Sequence, residues 1–210
     1  MKRIHIVAGG PSMSLPSLHK KSKDEIWIGV DGGVEHLVEF EIEPDYAIGD
    51  FDSISVMTKR NVRVSSYKQF PSEKDETDLE LALTFAIEKR PEEIIIYGAT
   101  GGRLDHEMIN LQLLKKGIKN SVNIYIVDNK NRITVKKPGS YDIFQSNYKY
   151  ISFLSMFECV EDLTLQGFKY QLTNTKLKYG SSLCISNELI VNRGTYSFSF
   201  GILIVVESID

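Results

Sequence analysis

Asp50 and Asp52 stand two residues apart in the string Ile48-Gly49-Asp50-Phe51-Asp52-Ser53, directly after the apolar run Tyr46 to Ile48. Asp31 follows another apolar run, Ile26 to Val30, and Asp75 and Asp78 open a helical pattern further along. Side chains two apart in an extended segment point the same way, and residues three apart share a helix face, so the members of each pair can converge. Two like charges about 4 Å apart repel by about 4 kcal/mol at an effective dielectric of about 20. A raised pKa or an intervening cation relieves such crowding. Hard oxygen ligands with no His or Cys beside them favour Mg2+, which keeps several waters and bridges to phosphate. Any one of these pairs can also be a turn or a helix cap, and Asp75 can be simply the first-turn acid of its helix. Three acidic clusters in equivalent places point instead to a Mg2+ site that handles a phosphorylated substrate.

Glycine-rich turns supply the other half of such a site. Gly98-Ala99-Thr100-Gly101-Gly102-Arg103 follows the run Ile94 to Tyr97 and opens a second helical pattern. Its amides and the helix N-terminus can face an anion, and Arg103 adds a charge able to form two hydrogen bonds. Ala8-Gly9-Gly10-Pro11-Ser12 and Asp31-Gly32-Gly33 are similar turns where backbone can approach a ligand closely. None has the spacing of a Walker-type phosphate loop.

The elements that must position these residues divide near residue 130. Before it, Ile4 to Ala8, Ile26 to Val30, Tyr46 to Ile48, Ile94 to Tyr97 and Val122 to Val127 read as buried strands. Helical stripes run from about Asp75 to Arg90 and from about Arg103 to Lys116, with Lys115 and Lys116 complementing the second helix's dipole. Alternation of strand and helix implies a mostly parallel sheet with both faces covered, and ligands bind such sheets outside the carboxyl ends of the strands. Beyond residue 130 the helical period vanishes. Arg132 to Lys136, Tyr150 to Ser155, Leu163 to Leu165, Ser182 to Ser186, Tyr196 to Phe200 and Ile202 to Glu207 read as strands of a small antiparallel β domain. The expected domains are therefore 1–130 and 131–210, joined within Asn129 to Tyr141.

Composition excludes several classes. A 210-residue chain with 42% hydrophobic residues and a formal net charge of −3 is a globular protein without the basic field that holds a nucleic-acid backbone. Cys159 and Cys184 have neither zinc-site spacing nor disulfide-scaffold density, and read as reduced core thiols. No run approaches the roughly 18 to 20 apolar residues of a membrane span, nor a signal-peptide core. The expectation is a cytoplasmic protein with neither nucleic acid nor membrane as a partner. His5, His19 and His36 share no ligand spacing and receive no role.

The strings DGG (Asp31 to Gly33), PDYAIGDFDSI (Pro44 to Ile54), KDETDLELAL (Lys74 to Leu83) and GATGGRLDHEMINLQLL (Gly98 to Leu114) together resemble the thiamine pyrophosphokinase (thiamine diphosphokinase) family. The resemblance runs from about Asp31 to Leu114 and resumes more faintly from about Leu163 to Leu189. It implies a Rossmann-like α/β nucleotide-binding catalytic domain followed by a β-sandwich that binds thiamine and forms a homodimer. The implied reaction moves the terminal diphosphate of ATP to the hydroxyl of thiamine and releases AMP. By the same resemblance Asp50, Asp52 and Asp78 hold Mg2+ or its phosphates, with Asp31 and Asp75 close behind, and one of these carboxylates can accept the hydroxyl proton. Lys74, Arg103, Gly101 and Gly102 face phosphates, as do Gly9, Gly10 and Gly32. Asp105 orders the loop or touches the nucleotide, and Thr77 either caps its helix or joins the site. His106 matches the family string, although a His on a helix flank is commonly a structural partner. Asn110 follows one turn later.

In the second domain, LQGFKYQLTN (Leu165 to Asn174) and CISNEL (Cys184 to Leu189) resemble family segments. They make Ser186 and Asn187 the thiamine candidates, with turn capping as the other role open to both. Gln171 replaces a proline usual in that segment. The only tryptophan, Trp27, lies in the first domain, so Tyr179 or Phe198 would have to supply the aromatic contact. Two other classes use similar parts. A different Mg2+-dependent nucleotidyltransferase or phosphohydrolase would ignore thiamine, and a nucleotide-sensing module would bind without turnover.

Overall fold

Buried parallel strands need crossover connections, and the runs of the first half have them. The computed structural model describes residues 3–49, 66–69 and 75–210. Two compact units comprise Met1–Asn129 and Lys130–Asp210. In the first, β1 (Arg3–Val7), β2 (Glu25–Val30), β3 (Tyr46–Gly49), β4 (Ser66–Gln69), β5 (Glu93–Tyr97) and β6 (Asn123–Val127) pair in the order β4-β3-β2-β1-β5-β6. All five pairings are parallel. Strand order reverses between β1 and β5. That switch point is where the exits of an open α/β sheet leave a crevice.

Register decides what covers each face. His5 pairs with Trp27 and Val7 with Tyr97, so these four side chains share one face. Leu15 and the helix α1 (Gly33–Glu39), through Leu37, pack against Val7, Trp27 and Tyr97 there. Ile6 pairs with Ile28 and Ile28 with Tyr46 on the opposite face. There the helix α2 (Asp78–Glu88) sets Phe85 edge-on to Tyr46, with ring centroids 4.9 Å apart. Leu79, Ala82, Leu83 and Ala86 form the buried stripe of α2. Helices α3 (Leu104–Leu113) and α4 (Lys115–Asn120) follow β5. Lys116 does not sit at a helix end as the sequence suggested. It stands in the first turn of α4, where its Nζ reaches Glu80 Oε1 at 2.9 Å and Thr84 Oγ1 at 3.0 Å, tying α4 to α2.

The second unit is antiparallel throughout. Its strands are β7 (Asn131–Lys136), β8 (Gly139–Phe144), β9 (Tyr150–Ser155), β10 (Cys159–Gln166), β11 (Leu172–Lys178), β12 (Arg193–Phe198) and β13 (Leu203–Ser208). β13 pairs with β7 on one side and β9 on the other, and a four-stranded sheet runs β11-β10-β12-β8. Inward side chains of both layers, among them Phe153, Phe168, Leu165, Tyr196 and Val205, make one core. The fold is thus an α/β domain followed by an all-β sandwich. Cys184 is in that core, where burial pushes its thiol up to about 11, and Cys159 is half-buried; both are free. Among the described residues no helix is long and apolar enough to cross a membrane.

Three local readings change. Ser182 to Ser186 is not a strand but a turn that places Ser186 at φ 56°, and β8 and β11 were absent from the sequence reading. α2 starts at Asp78, not Asp75, because Thr77 is extended and its hydroxyl accepts from the Glu80 amide at 3.2 Å. Asp75 therefore precedes the helix and does not share a face with Asp78. Thr77→Ala should lower stability by about 1 kcal/mol, the usual value of a lost N-cap, whereas Thr77→Ser should retain it. Urea unfolding followed by the fluorescence of Trp27, in the same unit, would show this; equal midpoints for the two variants would deny Thr77 the capping role.

Candidate active site

Three turns leave the carboxyl ends of β1, β2 and β5 side by side. The Gly10 amide donates to the Gly98 carbonyl at 2.9 Å, and the Asp31 amide donates to the Ile48 carbonyl at 3.1 Å. Gly10 has no room for a side chain, since a Cβ there would run into the Gly98 carbonyl. Gly49, at φ 145°, is similarly constrained, because a Cβ would collide with Oδ1 of Asp31. Asp31 is itself left-handed, at φ 46°. Asp is one of the few residues that tolerates this region.

The turns enclose a cavity of about 600 Å3. Its wall combines Gly9, Gly10, Gly32, Gly98 and Gly102 backbone with Asp31, Asp78, Arg103 and Thr77. His106, Glu107 and Asn110 close the α3 side. Arg103 is not buried and folds back on Asp105, with Nε–Oδ1 at 3.1 Å and a second nitrogen–Oδ2 contact at 2.6 Å. That pair raises the Arg103 pKa, and hydrogen bonding to Arg103 lowers that of Asp105. Asp105 also accepts from the His106 amide at 2.9 Å and is absent from the cavity wall, so its visible work is to order the start of α3.

The predicted residues separate clearly. Gly9, Gly10, Asp31, Gly32, Thr77, Asp78, Gly102 and Arg103 share the one cavity. Asp75 is exposed and outside the wall, and Gly101, at φ 84°, packs against Ser14. Asp50, Asp52 and Lys74 lie outside the described residues. In the second unit Asn187 is buried: its Oδ1 accepts from the Tyr170 and Glu188 amides at 3.0 and 2.9 Å, and its Nδ2 donates to the Tyr170 carbonyl at 2.8 Å. The Ser186 amide donates to Ser152 Oγ at 2.9 Å, leaving its own side chain exposed. Phe198 is core and Tyr179 is 69% exposed, so of the two aromatic candidates only Tyr179 presents a ring to solvent.

Sequence reasoning assigned no role to the parts that hold the turns in place. His36 Nε2 donates to the Gly10 carbonyl at 2.8 Å, reaching from α1 under the β1 turn. Thr100 Oγ1 donates to Asp128 Oδ2 at 2.8 Å, and Asn110 Nδ2 donates to the Ala99 carbonyl at 2.9 Å. The His36 contact joins residues 26 apart, which no local spacing signals. For Asn110, its place one turn beyond His106 on the same helix was a usable signal.

Comparison with known proteins matches this architecture along the whole chain. Residues 18–126 match the family model described as thiamin pyrophosphokinase, catalytic domain, and residues 123–203 match thiamin pyrophosphokinase, vitamin B1 binding domain. The thiamine pyrophosphokinase of Bacillus subtilis (strain 168) is 48% identical over 214 aligned positions, covering 100% of both chains. A crystal structure of thiamine pyrophosphokinase from Bacillus subtilis superposes with a TM-score of 0.94 at 46% identity, over 100% of both chains. One from Geobacillus thermodenitrificans gives 0.90 at 44% identity, over 99% of this chain and 98% of the other. With a shared fold, both family domains in order and identity near one half over full length, this chain is an enzyme belonging to the thiamin pyrophosphokinase family.

Proposed function

We propose that the chain transfers the terminal diphosphate of ATP to the hydroxyethyl oxygen of thiamine, giving thiamine diphosphate and AMP. The observation that carries this reading is the convergence of glycine-turn backbone, three carboxylates and one guanidinium in a single cavity at the switch point of the sheet. Residues 1–130 then serve as the nucleotide-binding catalytic domain and 131–210 as the thiamine-binding and dimerisation domain. The catalytic and thiamine-binding parts of this assignment are supported by the descriptions of the matched family models.

The reaction is an attack of the thiamine hydroxyl oxygen on the β-phosphorus of ATP. The Pβ–O bond to the bridging oxygen breaks, AMP leaves with the electron pair, and the hydroxyl proton passes to one of the carboxylates. Such chemistry asks the protein mainly to align the reactants and to hold charge. The amides of Gly9, Gly32, Gly101 and Gly102, with Arg103 and Lys74, would face the phosphates, while Gly10, whose amide is taken by the Gly98 carbonyl, would set the shape of its turn. Arg103 must leave Asp105 to do so, and its exposure makes the exchange inexpensive, since a solvent-exposed ion pair contributes little.

A divalent cation fits the residues present. Asp31 and Asp78 offer hard oxygen ligands on the same wall, and the bare Gly49 lets the Asp31 carboxylate lie close against its backbone. Asp31, Asp50, Asp52 and Asp78 would hold Mg2+, with Asp75 further out. When bound, the ion would offset the negative charge gathered on the phosphates. Ser186 would contact thiamine directly, with Asn187 fixing its turn through hydrogen bonds to Tyr170 and Glu188. Around that turn Leu183, Ile185, Ile190 and Val191 are 43–60% exposed, an apolar surface suited to a second copy of the chain.

Incubation of purified protein with ATP, Mg2+ and thiamine should yield thiamine diphosphate and AMP in equal amounts, and none after chelation of the metal. Phosphorus NMR would distinguish this from hydrolysis to ADP or from binding without turnover, either of which would replace the proposal. Asp50→Asn or Asp52→Asn should cut kcat at least about a hundredfold with an unchanged circular dichroism spectrum; full activity with ordinary Mg2+ dependence would remove that residue from the metal set. Light scattering at assay concentration should give twice the chain mass, and a fully active monomer would contradict the shared site.

A further inference from the structure

A cluster of metal-ligating side chains lies away from the cavity, on the face of the sheet that carries His5, Trp27 and Tyr97. Glu25 is the first residue of β2 and Asp31 the residue after its last. Six residues of extended chain separate them by roughly 20 Å. His5 is mid-β1, and His19 belongs to the irregular stretch between the short 3-10 helix Ser12–Ser14 and β2. His5 Nε2 lies 3.5 Å from Glu25 Oε1, and His19 Nε2 lies 3.1 Å from Glu25 Oε2. Taken together, one donor atom from each of the three residues falls within 4.8 Å of the other two. Ligands about 2.0–2.2 Å from a tetrahedral ion stand roughly 3.3–3.6 Å from one another, so only small side-chain movements separate this cluster from a coordination sphere.

A second observation points to an ion. His5 is fully buried, yet its Nε2, aimed at Glu25, has no well-formed hydrogen bond. A buried polar atom left so is costly unless something else satisfies it. The imidazole is held like a ligand. Trp27 stacks on it with centroids 4.1 Å apart, and the Tyr97 hydroxyl is 3.4 Å from Nδ1, the kind of partner that orients a metal-bound histidine from its far side. Two cations bear on the set. Arg3 touches Glu25 Oε1 at 3.5 Å, but its stronger partner is Glu93 at 2.6 Å, so it need not compete. Lys21 is occupied by Asp45.

We propose that His5, His19 and Glu25 form a site for a borderline divalent transition ion of the Zn2+ class, with a fourth position open to solvent beside His19. Two nitrogens and one carboxylate suit Zn2+, Co2+, Ni2+ or Cu2+, and are a poor match for Mg2+. Both protonation states suit metal binding: desolvation by burial lowers the His5 pKa to about 4, so its ring is neutral at pH 7. Glu25, although burial pushes its carboxyl up, is held down to about 2 by His19 and Ser22, so it is ionised. The ion would fasten the stretch that follows the Gly9-Gly10-Pro11 turn onto β1 and β2. The site would act as a clamp on one wall-bearing loop of the cavity, apart from the Mg2+-dependent chemistry.

The stacked ring makes the test local, because Trp27 is the only tryptophan of the chain. Tag-free protein in saturating Mg2+ is titrated with Co2+ while tryptophan emission is followed, and Zn2+ is then added. The expected result is saturable quenching at one equivalent, reversed by Zn2+, together with a Zn2+-dependent rise in unfolding temperature. Glu25→Gln should weaken the quenching at least about tenfold without moving the emission of the metal-free protein, and His19→Ala, whose lost ring meets Trp27 edge-on at 5.4 Å, should weaken it as much when measured from its own metal-free baseline. Thiamine diphosphate formation in Mg2+ should persist in His19→Ala, which separates this proposal from the reading of the active site. Absence of saturable quenching, or equal quenching in His19→Ala, would overturn it.

Discussion

The close approach of backbone at the exits of β1 and β5 is the constraint on which the site depends. Gly10 and Gly98 meet amide to carbonyl at 2.9 Å with no space for a Cβ, and His36 Nε2 donates to the carbonyl of the same residue at 2.8 Å. With both polar groups of Gly10 taken, the turn is pinned and the amides of its neighbours are held in set directions. This is what a phosphate needs, since preorganised donors cost no reorganisation when charge arrives. The sheet supplies the spacing: adjacent parallel strands lie about 4.8 Å apart, so three successive exits span little more than a triphosphate.

From that constraint the charge arrangement follows. Asp31 is driven into a left-handed conformation by the tight β2 exit, and its carboxylate comes to rest over Gly49, beside the next exit. Asp78 reaches the same wall by a different route, as the first residue of a helix whose start is set by the Thr77 hydroxyl. Moving that start back one turn, to Asp75, would leave Asp78 in place and bring Asp75 onto the same helix face. The capping hydrogen bond therefore has a chemical consequence beyond the stability it contributes: it keeps Asp75 off the helix face whose first acid, Asp78, lines the cavity.

Much of this was legible in the chain, and the failures have physical causes. Strands buried on both faces are continuous apolar runs, and β1, β2, β3, β5 and β6 were found for that reason. β8 and β11 are exposed over most of their length and rich in Ser, Asp, Asn, Thr and Lys, so their local pattern is that of loop, and only pairing with β12 and β10 makes them strands. Ser182 to Ser186 failed in reverse: its apolar Leu183 and Ile185 suggested a strand face, but both are exposed, and the chain turns there to bury Cys184. Asp31 and the glycine turns could be found because each sits next to its own strand, and Asp78 because it opens a helical stripe. His36, Thr100 and Asp128 could not, because what they do is set by partners 26 and 28 residues away.

The histidines make the same point more sharply. His5 and His19 have no ligand spacing along the chain, and spacing is informative only when ligands sit on one turn or one helix. Here a parallel pairing places Arg3 opposite Glu25 and His5 opposite Trp27, so carboxylate and imidazole become neighbours on one face through register alone. His19 completes the set because the connection between β1 and β2 crosses that face, with Leu15 and Leu18 packed beside Trp27. The apolar contacts that cover the sheet are thus what deliver the third ligand. The same loop begins at the Gly10 turn, so a force applied at His19 is transmitted to the cavity through eight residues anchored by Leu15 in the core. That continuity gives a distant ion a physical means of stiffening the phosphate turn without any contact with substrate.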